Sequence, residues 1–477
     1  MEEIHDLRSF IARLEVMGEV KAIKGADWKL EIGGLTELMG EKEGPALLFD
    51  RIKDYPPGFR ILTNVFRTQK RAALSLRLDP NLSGIDLLNG WRMKLRTFKP
   101  VPVSVVEGGP LLENSMSDGE IDLERFPAPI WHEPDGGRYL GTGCCVITRD
   151  LESGRVNVGT YRCMIQGRNK VSVKVNKGKG GRIAMEKYHQ AGQSCPVAIS
   201  LGQEPSLFLA SMSPLSPEIN EYEYAGWLQG APFPVVPGPL TGLPLPATAE
   251  IVLEGEIPPL ESKDLPKEGP FGEWYGYFAD TTVGEVPLMV VKKVYYRNDP
   301  IILGVPPLKP PNHYVSVPLG AAALWDQIEQ AGIPDVKGVW GFVYSAQTGP
   351  FTVIAIRQRY AGHSKQALLV ASGARAGAYG GKFMVVVDDD VDITNPYDVI
   401  WAMSTRCNVR EGVDLVKGVW TSPAEPAIPP ASRSPTGYTM DRVLIDACRP
   451  YQWLDEFPEV NVFPKEYKRD LEKKWKL

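Results

Sequence analysis

Between residues 144 and 304 the chain repeats short β-branched or aromatic runs set apart by Gly, Pro, Asn and Asp. Strand patterns fall at 144–149, 156–165, 170–175, 196–201, 247–256, 287–296 and 300–304, with helical patterns only near 183–191 and 217–229. Strands at such short spacing bury their apolar faces in a barrel or sandwich; a doubly wound sheet would interpose a helix after each one. The pattern changes on both sides of this region. Near the start, Ile4, Leu7, Phe10, Ile11 and Leu14 recur at helical spacing, with Gly18 placed to cap the end. Buried strands at 46–49 and 61–66 and helices near 70–78 and 84–97 follow, until Lys99-Pro100-Val101-Pro102 breaks the pattern. Beyond the proline-rich stretch 306–311, helical patterns at 319–332, 363–374 and 395–406 alternate with strands at 338–344, 351–359 and 382–388. The expectation is an N-terminal α/β domain over 1–105, a central β domain over 106–305 and a C-terminal α/β domain over 306–477. A Pro-, Ser- and Ala-rich loop spans 421–436, and the charged end from Pro464 carries Tyr467, Leu471 and Trp475 as one helical stripe. Such a stripe docks on its own chain or on a second subunit.

Length and charge narrow the function. At roughly 150 residues per domain, 477 residues suit three domains. A net charge of −5 argues against a chain whose main work is binding nucleic acid. No apolar run approaches the roughly 18 residues of a membrane span, and the acidic start lacks the basic and apolar regions of a secretory signal, so the expectation is a cytoplasmic protein. The six cysteines form no C-x-x-C pair and read as buried, reduced thiols. There is no H-E-x-x-H, G-x-S-x-G or P-loop sequence.

Four stretches carry candidate chemistry. In the first, strand-like 156–165 bears Asn157 and Arg162, a turn follows at Gly167-Arg168-Asn169, and Val171, Val173 and Val175 alternate with polar residues on a returning strand. It opens into Lys177-Gly178-Lys179-Gly180-Gly181-Arg182, where glycines free backbone N–H groups for an anion and basic side chains add charge. The competing reading is a surface hairpin with a flexible basic loop. In the second, Glu221 opens a helical pattern, as a ligand or as a carboxylate at the helix dipole. In the third, Glu268 and Glu273 flank a G-P-F-G turn that can fold them together, and Trp274, Tyr275 and Tyr277 follow. Paired carboxylates beside an arginine can divide their roles between ionised group and acid; the alternative is an exposed acidic turn. In the fourth, a strand after Lys382 ends in Asp388, Asp389, Asp390 and Asp392, read as caps or a hinge ahead of a metal site.

Together these stretches resemble the UbiD family, decarboxylases that use prenylated FMN. The marks are N-V-G-T-Y-R (157–162), N-E-Y-E-Y-A-G (220–226), E-G-P-F-G-E (268–273), R-Y-A-G-H-S-K (359–365) and K-F-M-V-V-V-D-D-D-V-D (382–392), in order along nearly the whole chain. The resemblance implies an N-terminal α/β domain, a central split β-barrel related to flavin reductases and a C-terminal α/β oligomerisation domain, assembled as a homo-oligomer, dimer or hexamer. It implies that Asn157 and Glu221 hold a divalent metal, Mn²⁺ by preference, that bridges to the cofactor phosphate; K⁺ is a further candidate ion. Thr160, Tyr161 and Arg162 match the segment along the flavin, Lys179 and Gly180 the following loop contact, and Lys382 a lysine at the cofactor. Arg162, Glu268 and Glu273 match a catalytic Arg-Glu-Glu network. One position departs: many relatives place a histidine ligand where Gly180 stands, and His189, nine residues on, reads as helix surface.

The implied reaction is reversible, non-oxidative decarboxylation through a covalent adduct with prenylated FMN, with Glu273 as proton donor and Arg162 holding the substrate carboxylate and Glu268. Gly136-Gly137-Arg138-Tyr139-Leu140-Gly141-Thr142 and the G-T-Y-R form sit closest to the aromatic-acid branch, so the expected substrate is an aromatic or heteroaromatic carboxylic acid. A flavin prenyltransferase would supply the cofactor. The alternatives are a polyprenyl-hydroxybenzoate decarboxylase of quinone biosynthesis, a carboxylase subunit, and an ordinary FMN-binding protein.

Overall fold

The computed structural model describes residues 4–213, 215–216, 218–259, 264–278, 284–309, 318–342, 349–432 and 438–476; His313 and parts of the 306–311 and 421–436 stretches lie outside them. The opening helix, Leu7–Val16, forms as its spacing predicts. Asp6 caps it in a reciprocal box with Ser9, and Leu7, Phe10, Ile11 and Leu14 are its buried stripe. Gly18 follows at φ +70°, the left-handed geometry that ends a helix at glycine. A first sheet orders Val20–Lys24, Ala46–Asp50, Arg60–Thr63 and Ile301–Gly304. Its last strand departs from sequence proximity. Ile301–Gly304 runs parallel to Arg60–Thr63, so the chain returns to its first sheet after crossing the central one.

The central sheet has nine strands among the described residues. Its hydrogen-bonded path runs Tyr139–Gly141, Arg162–Ile165, Lys170–Lys174, Leu288–Tyr296, Ile251–Ile257, Cys195–Leu201, Cys145–Arg149 and Val156–Gly159, with Asn114–Ser117 paired to Leu288–Tyr296. The single strand expected over 156–165 is therefore two strands. Val156–Gly159 is one edge of the path and Arg162–Ile165 lies second from the other, six strand spacings away. Six spacings span about 29 Å along a flat sheet, whereas Thr160 and Tyr161 bridge at most about 11 Å. Chain connectivity thus forces the sheet to curl until Val156–Gly159 comes within that reach of Arg162–Ile165. The expected split barrel is corrected accordingly to a curled half-barrel that does not close, since its two edge strands do not pair among the described residues. The corner is compact because Gly159 lacks a side chain: a Cβ there would lie 2.4 Å from the Tyr161 ring.

The C-terminal sheet orders Val336–Gly341, Phe351–Ile356, Phe383–Asp388, Thr439–Ala447 and Val413–Trp420. Helices Leu319–Gln330, His363–Gly373 and Pro396–Arg406 pack on it. The acid run at its centre is structural: Asp388 and Asp390 both receive Arg406, at 3.1 and 2.8 Å, and Asp392 accepts from Thr394 N at 2.9 Å. Charged contacts tie the parts together. Arg8 grips Glu250 through two 2.8 Å bonds, and Arg92 reaches Asp326 and Glu329 at 2.6 Å while lying over Trp325. No helix among the described residues is long and apolar enough to cross a membrane.

Candidate active site

Arg162 is the first residue of its strand, facing out of the corner that Thr160 and Tyr161 make. Its guanidinium meets both carboxylates of the E-G-P-F-G-E turn. Nε donates to Glu268 Oε1 at 2.7 Å, Nη2 to Glu268 Oε2 at 2.9 Å, and Nη1 to Glu273 Oε1 at 2.7 Å. Burial works against the arginine's charge, but the two carboxylates outweigh it and raise its pKa. The carboxylates are not equivalent. The Glu268 side chain is 1% exposed, whereas that of Glu273 is 24% exposed. The turn is held by backbone packing, for Gly136 N donates to Pro270 O at 2.9 Å and a Cβ on Gly136 would meet Gly269 O at 1.9 Å. Phe271, inside the turn, packs on Tyr139 with ring centroids 4.0 Å apart and lies under Arg162.

A second group forms where Val156–Gly159 meets helix Gly180–Gln190 and helix Glu221–Gln229. Asn220 caps the latter helix, which leaves Glu221, its first residue, free to reach across and accept from Val158 N at 3.2 Å. No cation pairs with Glu221 among the described residues, and burial pushes its carboxyl up. Asn157 carries a buried Nδ2 without a partner among the described residues, and its Oδ1 occupies the space beside Gly180: a Cβ there would lie 2.0 Å from it. Tyr161 Oη accepts from Gly181 N at 3.2 Å. The glycine-rich stretch is not a loose loop. Gly180 and Gly181 form the first turn of an eleven-residue helix whose N-cap, Lys179, makes no side-chain cap bond. Lys179 keeps solvent access yet is crowded by protein, and that crowding, with Arg375 nearby, lowers its pKa.

The remaining expected residues fall around these groups. The Thr160 hydroxyl pairs with Ser211 Oγ at 2.6 Å. Lys382 Nζ bonds Glu425 Oε1 at 3.0 Å. His189 is half-buried near the far end of its helix and bonds Ile257 O at 3.1 Å. Nine residues of helix separate it from Gly180 by about 13 Å, too far for a shared ion. Four residues escaped sequence reasoning: Tyr139, which donates to Glu268 Oε1 at 2.8 Å; Glu425, the buried partner of Lys382; Arg375 beside Lys179; and Tyr379, whose phenol senses the Glu273 charge. Tyr139 stands inside the quoted G-G-R-Y-L-G-T stretch, but nothing local joins it to a carboxylate 129 residues away.

The residues fit the cofactor that the resemblance implies. The Glu221 carboxylate, which makes no ion pair among the described residues although Arg155 acts on it from a distance, and the Asn157 amide oxygen provide hard oxygen donors at one end. A helix N-terminus, Lys179 and Arg375 supply positive charge for an anion beside them. No group of three or more His, Cys, Asp or Glu side chains suited to a metal occurs among the described residues, so an ion there would draw its remaining ligands from phosphate and water.

Comparison with known proteins gives the same family. Three family models match in sequence order: the N-terminal domain of 3-octaprenyl-4-hydroxybenzoate carboxy-lyase over residues 11–89, its Rift-related domain over 103–310 and its C-terminal domain over 313–447. Among solved structures, the vanillic acid decarboxylase of Sedimentibacter hydroxybenzoicus in its closed form is 27% identical with a TM-score of 0.84, covering 100% of both chains. The UbiD-class enzyme HmfF of Pelotomaculum thermopropionicum, solved with FMN, is 27% identical with a TM-score of 0.83, covering 97% of this chain and 98% of that one. The 3,4-dihydroxybenzoic acid decarboxylase of Enterobacter cloacae is 25% identical with a TM-score of 0.80, covering 98% and 100%. With all three domain models matched in order and full-length likeness to solved members, the chain belongs to the UbiD family of carboxy-lyases.

Proposed function

We propose that this chain catalyses the reversible, non-oxidative decarboxylation of an aromatic or heteroaromatic carboxylic acid with prenylated FMN as cofactor. The observation that carries the reading is Arg162, at the start of its strand, bridging Glu268 and Glu273. A guanidinium has five N–H donors; the two glutamates take three, which leaves one on each terminal nitrogen for a substrate carboxylate. In the forward direction the bond between the carboxylate carbon and the ring breaks, CO₂ departs and the electron pair stays on the ring carbon. Glu273, the more exposed acid, gives that carbon its proton and regains one from solvent. Prenylated FMN, when bound, supplies the electron-accepting ring system that makes the bond cleavage feasible.

Asn157, Thr160, Tyr161, Arg162, Lys179, Gly180, Glu221 and Lys382 would hold that cofactor, Asn157 and Glu221 through a divalent ion, Mn²⁺ in our reading, with K⁺ as a further candidate. The solved relatives support the substrate class, since two of them are named as decarboxylases of hydroxylated benzoic acids, and one HmfF structure holds prenylated FMN. The test is co-expression with a flavin prenyltransferase, mass spectrometry of the released cofactor, and CO₂ release from a panel of aromatic acids. Prenylated FMN together with turnover of at least one acid supports the proposal. Ordinary FMN without turnover of any acid sinks it and leaves the flavin-binding or subunit reading.

A further inference from the structure

We infer that Tyr139 is the positioning residue of the Arg162–Glu268–Glu273 network, acting through Glu268. The inference rests on the reading above for its kinetic consequence, but its structural core stands alone. Tyr139 is wholly buried, and a buried phenol needs a partner for its O–H. It has one in Glu268 Oε1, at 2.8 Å. That oxygen already accepts Arg162 Nε at 2.7 Å, while Oε2 accepts Nη2 at 2.9 Å. Three donors therefore fix both oxygens of Glu268 and leave the carboxylate one orientation.

Tyr139 is itself held on every side. Its backbone N–H donates to Pro129 O at 2.9 Å, its strand pairs with the strand of Arg162 in the register Tyr139 to Met164, and its ring lies 4.0 Å from that of Phe271. Because Phe271 sits between Glu268 and Glu273 in sequence, one tyrosine touches the turn twice, by ring and by hydroxyl. The consequence runs outward. A carboxylate with two acceptor atoms can rotate about its last bond; pinned by Tyr139, it presents both atoms in the plane of the guanidinium. Arg162 is then fixed in that plane with Nη1 directed at Glu273, 2.7 Å away. Without the phenol, the two Arg162 bonds still hold the groups in one plane, but the pair loses its tie to the strand of Tyr139 and can tilt as a unit, which loosens the placement of the acid. The other charged and titratable groups around this cluster are Asp135, which senses Arg162, His132 beside Asp135, and the Cys163 thiol, which senses Glu268. Among the described residues none of these groups hydrogen-bonds Glu268, so none replaces Tyr139 as a donor to it.

Tyr139→Phe removes one oxygen and keeps the ring. The full chain should keep its melting temperature and FMN affinity. With the acid found above, kcat should fall about tenfold or more while KM stays within about twofold, since Arg162 remains to bind the carboxylate but the reacting geometry is loosened. The spectroscopic arm needs no cofactor and no substrate. The infrared carboxylate band that Glu268→Gln abolishes should move in Tyr139→Phe. A band at the parental position, or a parental kcat, overturns the inference. So does a fall in kcat accompanied by equal losses of melting temperature and FMN affinity, which marks a purely structural tyrosine. If the parent protein decarboxylates no acid, the functional reading fails, and the infrared band alone decides the role of Tyr139.

Discussion

At the scale of single residues, the two glutamates of the turn make different predictions. Glu273 is the partly exposed member and holds Arg162 through one nitrogen, the arrangement of a group that exchanges protons. Glu273→Gln keeps the shape and the hydrogen bond, so flavin binding should be parental while decarboxylation drops at least about a hundredfold, the usual loss for a positioned proton donor. Single-turnover rates of loaded parent and variant check this, and near-parental turnover rejects Glu273 as the acid. Gly180 makes a second prediction. Its missing side chain is filled by the Asn157 amide, so even a methyl group must push that amide aside. Gly180→Ala should lower FMN affinity and divalent-metal content about tenfold with little change in melting temperature, the size expected when a ligand's surroundings are disturbed. Fluorescence titration and elemental analysis of both proteins side by side measure it. The same contact makes Gly180→His a poor way to restore a ligand, because its Cβ takes the place of the Asn157 oxygen.

At the scale of elements, helices join the domains through buried groups, and one of them titrates in an accessible range. Lys94, on helix Gly84–Leu95, donates to Leu76 O at 2.9 Å and to Leu228 O, at the end of the Glu221 helix, at 3.2 Å. Burial, and Arg77 nearby, push its pKa down to about 8. The unfolded chain binds that proton until about pH 10.4, so between about 8 and about 10.4 the unfolded state carries more protons than the folded one. Stability from this group therefore rises with pH across that window and is flat below it. Lys94→Met should remove the rise, and urea unfolding of parent and variant at several pH values in the window should show the two curves diverging as pH increases. Parallel curves would reject a depressed lysine. How clearly an element shows in the sequence depends on how its faces are buried. Helix Leu319–Gln330 and strand Phe383–Asp388 bury one face or two against their own domain, and their periodicity is strong. The edge strand Val413–Trp420 keeps both faces in contact with solvent, so neither it nor its partner Thr439–Ala447 is among the strands that the sequence pattern predicts.

At the scale of the whole molecule, that same edge leaves apolar surface uncovered. Leu415 and Trp420 are each 58% exposed, and on the neighbouring helix Tyr397 is 81% and Ile400 56% exposed. The terminal helix Lys465–Trp475 carries the expected stripe, yet Tyr467 and Trp475 remain 49% and 64% exposed, with Phe463 before them at 65%. Surfaces of this kind mark association sites, and we propose that a second copy of the chain covers them. If such an assembly forms, ending the chain at Asn461 should convert it to a smaller species, with melting temperature lowered and the Arg162 network retained. Light scattering after size exclusion checks this, and an unchanged mass would place the interface elsewhere.

The sequence by itself determined the order of the three parts, the class of each and the residue types of the site, because these depend on local periodicity and on short motifs. Asn157, Arg162, Glu268 and Glu273 were all legible in that way. Their arrangement was not. Strand alternation along a single strand 156–165 would place Asn157 and Arg162, five residues apart, on opposite faces; the curl of the sheet, which turns Thr160 and Tyr161 into a corner between two strands, removes that constraint. Tyr139 and Glu425 entered for the same reason. Each meets its partner across a long loop of chain, and a contact between residues 129 or 43 positions apart is decided by how whole sheets pack, which no local pattern encodes.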